Sequence, residues 1–232
     1  MTAGTVICWR HGRTEYNAGT RLQGQIDIPL DDVGTWQAEQ AALDLWRRHS
    51  PTRIVASNLG RARATAQRLA DLVGLQVEVD ARLRERSFGD WEGLSAQEIA
   101  QRWPEEFAVW QRGGDPLRTG AETRAAVAER FAAAVNEVAG AMTPEETLVI
   151  VSHGAAVSLG LTALLGLDAV AWRGLVGLHN AHWSVLRASR GDAWPAWRLE
   201  AHNVGPSVRV ADWNAGVPAQ DLPSSTADAM RT

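Results

Sequence analysis

The chain has 232 residues, 45% of them apolar and 22% charged, which is enough for one sizeable core, or a core with a small cap. Its formal net charge of −4 excludes a dedicated nucleic-acid binder, so any anion site must be a local gathering of arginine. The single Cys8 excludes an internal disulfide and a cysteine-built zinc site, and no run of about 18 apolar residues supplies a transmembrane helix. No basic segment followed by an apolar one opens the chain, so a cytoplasmic location is expected.

Thr5 to Trp9 is a short β-branched and aromatic run that predicts a buried strand, with Cys8 as a packing residue. It stops at Arg10-His11-Gly12, placing a cation, an imidazole and a glycine at a strand's carboxyl end, where open α/β sheets bind ligands. Arg10 offers a planar fork of donors for phosphate or carboxylate, and His11 is a candidate nucleophile or base. The tripeptide alone fits a charged surface turn equally well.

Residues 20 to 30 are irregular, and Gln23-Gly24 is a candidate polar contact there. Asp31 or Asp32 caps a predicted helix to about His49, with Ala38, Ala41, Ala42 and Leu45 on one face. Arg53 to Ser57 reads as a second strand and leads into a helix that ends near Val73, with Gly74 just beyond it. A third strand is predicted from Leu75 to Val79. This rhythm predicts an α/β fold. Residues 81 to 93 are too charged and glycine-punctuated to be core, so a loop is expected. Ser95 with Glu98 makes a capping box for a short helix that Pro104 should end. The next segment, to residue 120, mixes Trp103, Phe107 and Trp110 with Gly113-Gly114 and Pro116, which suits a cap over a pocket or a long surface connection.

An alanine-rich helix is predicted from about Glu122 to Met142. Thr147 to Ser152 is the strongest predicted strand, and it stops at His153-Gly154 before a helix running through Leu165. Two strands therefore end in His-Gly. Trp183 to Ala188 and Trp197 to Ala201 flank Arg190-Gly191-Asp192 and predict a hairpin. After about Asn214 the periodicity fails, and residues 214–232 are expected to be a disordered tail.

Arg10-His11-Gly12 with Thr14 and Asn17, Gln23-Gly24, Ser57…Leu59…Arg61-Ala62…Thr65-Ala66, Leu83…Glu85…Gly89…Trp91-Glu92-Gly93 and Ser152-His153-Gly154 follow one order and spacing. In these the chain resembles the histidine phosphatase (phosphoglycerate mutase-like) superfamily over roughly residues 5 to 201. The resemblance implies a three-layer α/β sandwich with a mostly parallel central sheet, helices on both faces and a small helical cap over the strands' carboxyl ends. The implied domain spans residues 1–213, with the cap inserted at about 95–120.

By the same resemblance His11 looks like the phosphoryl-accepting nucleophile, with its second ring nitrogen held by a backbone acceptor. Arg10, Arg61 and His153 resemble three cationic donors around the phosphoryl oxygens, and Glu85 the acid that serves the leaving alkoxide. Asn17, Gln23, Gly24 and the Gly154 amide would add neutral contacts to phosphate. No metal and no cofactor is implied; the partner is a small phosphomonoester, not nucleic acid or membrane.

The bland readings stand beside these. Arg63 competes with Arg61, and Glu92, Asp90 and Glu78 compete with Glu85. His179 and His182 lack an evident third ligand and read as structural, and His49 and His202 as surface residues. Trp110 is a candidate pocket residue, and Arg13 and the Gly120-Ala121-Glu122-Thr123 element depart from the family pattern, leaving the roles of Glu122 and Thr123 open. Within the superfamily, Tyr16 to Asp27, Asn180 to Trp183 and Trp197 to Glu200 are similar to glucosyl-3-phosphoglycerate phosphatases, which implies that substrate and a homodimer. Other sugar or glycerate phosphates, α-ribazole phosphate, mutase activity and a non-catalytic phospho-ligand binder are the alternatives.

Overall fold

The computed structural model describes residues 2–116, 120–191 and 193–216. Among these residues one six-stranded sheet forms from β1 (Thr5–Arg10), β2 (Arg53–Ala56), β3 (Val77–Val79), β4 (Thr147–Ser152), β5 (Trp183–Ala188) and β6 (Trp197–Val204). The order is β3-β2-β4-β1-β5-β6; the first four in that order run parallel, while β5 and β6 extend the sheet antiparallel beside β1.

Both faces of the sheet are covered, which is why its central strands are apolar at consecutive positions. In β1, Val6 and Cys8 pack with α6 (Arg124–Gly140) and α7 (Gly154–Leu164), and Ile7 and Trp9 with α2 (Asp32–His49) and α3 (Gly60–Val73). Cys8 is wholly buried, and that burial pushes its thiol up to about 12, so it packs and does not react. Asp31 is the cap of α2, its carboxylate accepting from Gly34 N at 2.7 Å. At the end of α3, Gly74 turns the chain with φ +70°.

Three expectations change. Residues 81 to 93 contribute to the interior: Leu83, Phe88 and Trp91 are buried. Leu83 joins the core formed with α6 and α7, while Phe88 and Trp91 form with Ile99 a separate cluster that gathers Leu22, Trp103, Phe107 and Trp110. The predicted capping box opens α4 (Ala96–Arg102), but Pro104 starts α5 (Pro104–Gln111) rather than only ending α4, because proline fits a helix's first turn. Asn214 and Ala215 belong to α8 (Val210–Ala215), anchored by buried Trp213, whose ring packs at a tilt 5.0 Å from that of Trp36, so the helix runs past the expected start of the tail. Residues 217–232 of that tail, 117–119 of the expected cap and Asp192 of the hairpin turn lie outside the described residues. The hairpin itself forms, with β6 continuing to Val204.

Candidate active site

The parallel register pairs Arg10 at the end of β1 with Ser152 at the end of β4. The residues that follow each strand are therefore neighbours: His11 N donates to Ser152 O at 3.0 Å, and the His11 and His153 rings meet edge to face at 5.1 Å. Gly12 is required here by close approach, since a Cβ on it would overlap the Gly34 carbonyl in the first turn of α2. Gly12 N in turn donates to Thr65 Oγ1 at 3.1 Å, tying this loop to α3.

His11 Nδ1 lies 2.6 Å from Gly12 O. A carbonyl only accepts, so Nδ1 carries the proton and Nε2 keeps its lone pair. Burial, then the charges of Arg61 and Arg10, hold this imidazole well below its ordinary pKa. Neutral, it is a nucleophile. The backbone acceptor expected from the sequence is thus Gly12 O.

Arg61, at the start of α3, is wholly buried, whereas Arg63 is exposed. Arg61 donates to Ile26 O and Gly24 O at 2.8 Å each, and through Nε to His153 Nδ1 at 3.2 Å. His153 Nε2 then faces Ser57 Oγ at 2.9 Å. Accepting at Nδ1, the His153 ring is neutral, and burial and Arg61 keep it so by lowering its pKa well below the ordinary value. The expected trio of cations is therefore two guanidinium groups and a neutral imidazole, because a third buried positive charge beside Arg61 is electrostatically disfavoured. Arg10 donates from Nη1 to Leu178 O at 2.5 Å, while its buried Nε has no partner among the described residues. Burial lowers the pKa of both arginines and the charge of Glu85 raises it again, and both guanidinium groups stay protonated at neutral pH.

Glu85 sits against the N-terminus of α7. Its Oε1 accepts from Ala156 N at 2.9 Å and Arg86 N at 2.8 Å, and Oε2 from Ala155 N at 3.1 Å. Of its competitors, Glu78 is exposed and spent on Arg53, and Glu92 Oε1 accepts from Phe88 N at 2.9 Å. The segment carrying Glu85 is clamped by Arg130, which donates to the carbonyls of Arg82, Arg84 and Glu85 and is paired to Glu122 at 2.8 Å. This settles the 120–123 element: Glu122 also accepts from Ser87 N, and Thr123 caps α6.

Arg10, His11, Asn17, Gln23, Gly24, Arg61, Glu85 and Gly154 all line one cavity of about 240 Å³, with His153 directly behind it. Asn17 is an N3 residue of a capping box on α1 (Glu15–Ala18). Its Oδ1 accepts from Thr14 N at 3.2 Å and from Asn180 Nδ2 at 3.0 Å, which leaves its own Nδ2 for the cavity. Gln23 is buried, with its Oε1 unpartnered among the described residues. Gly24 turns with φ +54°, and Gly154 leaves room for the Arg10 guanidinium 3.4 Å from where a Cβ would stand.

Sequence reasoning did not single out Arg21, which also lines the cavity, nor Arg130 and Asn180, which hold the site from behind. Arg130 carries no local signal, being one arginine of an amphipathic helix. His179 and His182 contact each other at 5.2 Å on an irregular segment rather than a helix, and His202 is half-buried between Ser184 Oγ and Val176 O rather than on the surface. No cluster of three or more His, Cys, Asp or Glu converges among the described residues, and none of their helices is long and apolar enough to cross a membrane.

Residues 6–204 match the model of the histidine phosphatase superfamily (branch 1). The chain is 38% identical over 221 residues to a glucosyl-3-phosphoglycerate phosphatase of Mycolicibacterium vanbaalenii, covering 90% of this chain and 98% of that one. To the Mycobacterium tuberculosis enzyme of that name it is 37% identical over 219 residues, at the same coverage. A solved structure of a mycobacterial glucosyl-3-phosphoglycerate phosphatase with VO3 superposes at TM-score 0.78 with 36% identity, covering 88% of this chain and 100% of that one. Similarity extends to a phosphoglycerate mutase-like protein of Arabidopsis thaliana, 31% identical over 192 residues, 82% of this chain and 81% of that one. With its paired strand-end histidines, its buried arginines and this match over most of its length, the chain belongs to the histidine phosphatase superfamily.

Proposed function

We propose that this protein hydrolyses glucosyl-3-phosphoglycerate to glucosylglycerate and phosphate through a phosphohistidine on His11. The observation that carries the reading is the meeting, in one cavity, of a neutral His11, a buried Arg10 Nε without a partner among the described residues, and the Glu85 carboxyl. His11 Nε2 attacks phosphorus while the bond to the ester oxygen breaks, and Glu85 gives its proton to the departing alkoxide. Water then attacks the phosphohistidine, Glu85 takes a proton from it, and phosphate leaves His11 with its lone pair restored. Charge on the equatorial oxygens is met by Arg10, Arg61 and the Asn17 amide, preorganised by the bonds described above. Arginine supplies here the neutralisation that other phosphoryl-transfer sites draw from metal ions.

The named substrate is supported by the likeness to the mycobacterial enzymes. A homodimer is proposed from the sequence resemblance alone, and size-exclusion chromatography with light scattering would test it. The α4–α5 unit, whose Trp110 packs in the cluster of Phe88 and Trp91 beside the His11 cavity without lining it, is read as the cap. In a panel of phosphomonoesters, glucosyl-3-phosphoglycerate should show the highest kcat/KM. A value no better than that of p-nitrophenyl phosphate refutes the named substrate. The His11→Ala variant should lose turnover by at least about 10³-fold and form no acid-labile phosphoenzyme on rapid quench. Retained turnover refutes the nucleophile.

A further inference from the structure

A second cavity, of about 290 Å³, adjoins the first across Phe88 and Ala155, which line both. The shared wall is where the leaving group must pass. Glu85 Oε2, the oxygen that would meet the ester oxygen, accepts from Ala155 N, so an alcohol protonated there has its body directed over Ala155 and Phe88. Beyond that wall stand Trp110 and Trp172 with three arginines, Arg86, Arg124 and Arg173, and no acidic side chain among the described lining residues.

The three guanidinium groups are not equivalent. Arg86 is buried, paired to Asp115 at 2.7 Å and stacked over Phe88, so its charge is already met. Arg124 donates from Nε to Ala169 O at 3.0 Å, and Arg173 to the carbonyls of Arg112 and Gly113. Neutral carbonyls orient both side chains without cancelling their charge. Burial and repulsion from Arg173 and Arg86 accordingly depress the Arg124 pKa, with Asp115 alone acting the other way among the larger influences. Positive charge is thus left over on a wall floored by aromatic rings, an arrangement that an anionic group on the leaving alcohol relieves.

We propose that this second cavity binds the leaving group, with Arg124 and Arg173 recognising a carboxylate on it, so that the enzyme selects phosphate esters of hydroxy acids over esters of neutral polyols. The proposal rests on the phosphatase reading above and assigns the discrimination to residues outside the phosphate cavity.

The test compares 3-phosphoglycerate with glycerol 3-phosphate, which replaces the carboxylate by a hydroxymethyl group. In the full-length wild type, kcat/KM should favour 3-phosphoglycerate. In Arg124→Gln and in Arg173→Gln the ratio between the two esters should fall about tenfold, with Arg124→Lys retaining part of it. Because each ratio is taken within one protein, partial misfolding does not mimic the effect. An absent wild-type preference, or a ratio unmoved in both glutamine variants, overturns the proposal. If the wild type turns over neither ester, calorimetric binding of the two esters decides, and the phosphatase reading itself fails only if glucosyl-3-phosphoglycerate is not hydrolysed either. Tighter binding of 3-phosphoglycerate that Arg124→Gln abolishes supports the subsite, and equal binding of both overturns it.

Discussion

His11 is kept neutral by the groups that neighbour the transferred phosphate, and this has a measurable consequence for stability. Its pKa, like that of His153, lies well below the ordinary value because of burial and nearby arginine. Above about pH 6.5 both folded and unfolded chains carry neutral imidazoles, and these groups add no pH dependence. As pH falls below that point the unfolded chain takes up protons that the folded one refuses, so stability is lost. The loss grows as pH falls further, because each imidazole that the fold keeps neutral adds its own contribution. Urea denaturation at pH 7.5 and pH 5.0 should therefore show a smaller pH dependence in His153→Asn than in the wild type. Equal dependence would mean that the buried ring titrates normally. Both histidines were legible in the sequence, because strand ends punctuated by His-Gly are local patterns, whereas Arg61 was separated from Arg63 only by the family resemblance. The charge state of His153 was not, since it follows from an arginine ninety-two positions away.

At the scale of elements, Glu85, the proposed acid, is positioned by a helix that does not line the cavity holding His11. Arg130 of α6 holds three carbonyls of the Glu85 segment and is itself held by Glu122. A lysine cannot span these acceptors, having a point charge in place of a planar fork. Arg130→Lys should lower kcat about tenfold and leave KM within about twofold, because phosphate contacts survive while the proton donor drifts. Comparing both constants on p-nitrophenyl phosphate, with the melting temperature alongside, checks this; a change in KM alone would refute the positioning role. The helices themselves were readable from spacing and caps, as the Ser95–Glu98 box shows. Helix α5 was not, because Pro104 signals a helix start and a helix end alike.

For the whole molecule, the C-terminal helix closes back onto the first loop. Trp213 packs on Trp36, donates from Nε1 to Asn180 O at 2.8 Å, and receives Gln37 Nε2 at its carbonyl at 2.7 Å. Asn180 meanwhile donates to His11 O and to Asn17 Oδ1. Trp213→Ala should destabilise the fold by about 3–5 kcal/mol and also raise KM, since Asn180 and Asn17 lose their support. A destabilised variant with unchanged KM would confine α8 to a packing role. The sequence by itself determined an α/β architecture and the strand tips, because hydrophobic period and caps act over a few residues, while the remaining cavity residues were implied by the family resemblance. Tertiary structure alone decided which nitrogen of each imidazole is free, which arginine is spent in an ion pair and which retains its charge, and how Trp213 of α8 anchors the site. Those outcomes depend on burial and on partners distant in the chain, and no local pattern encodes them.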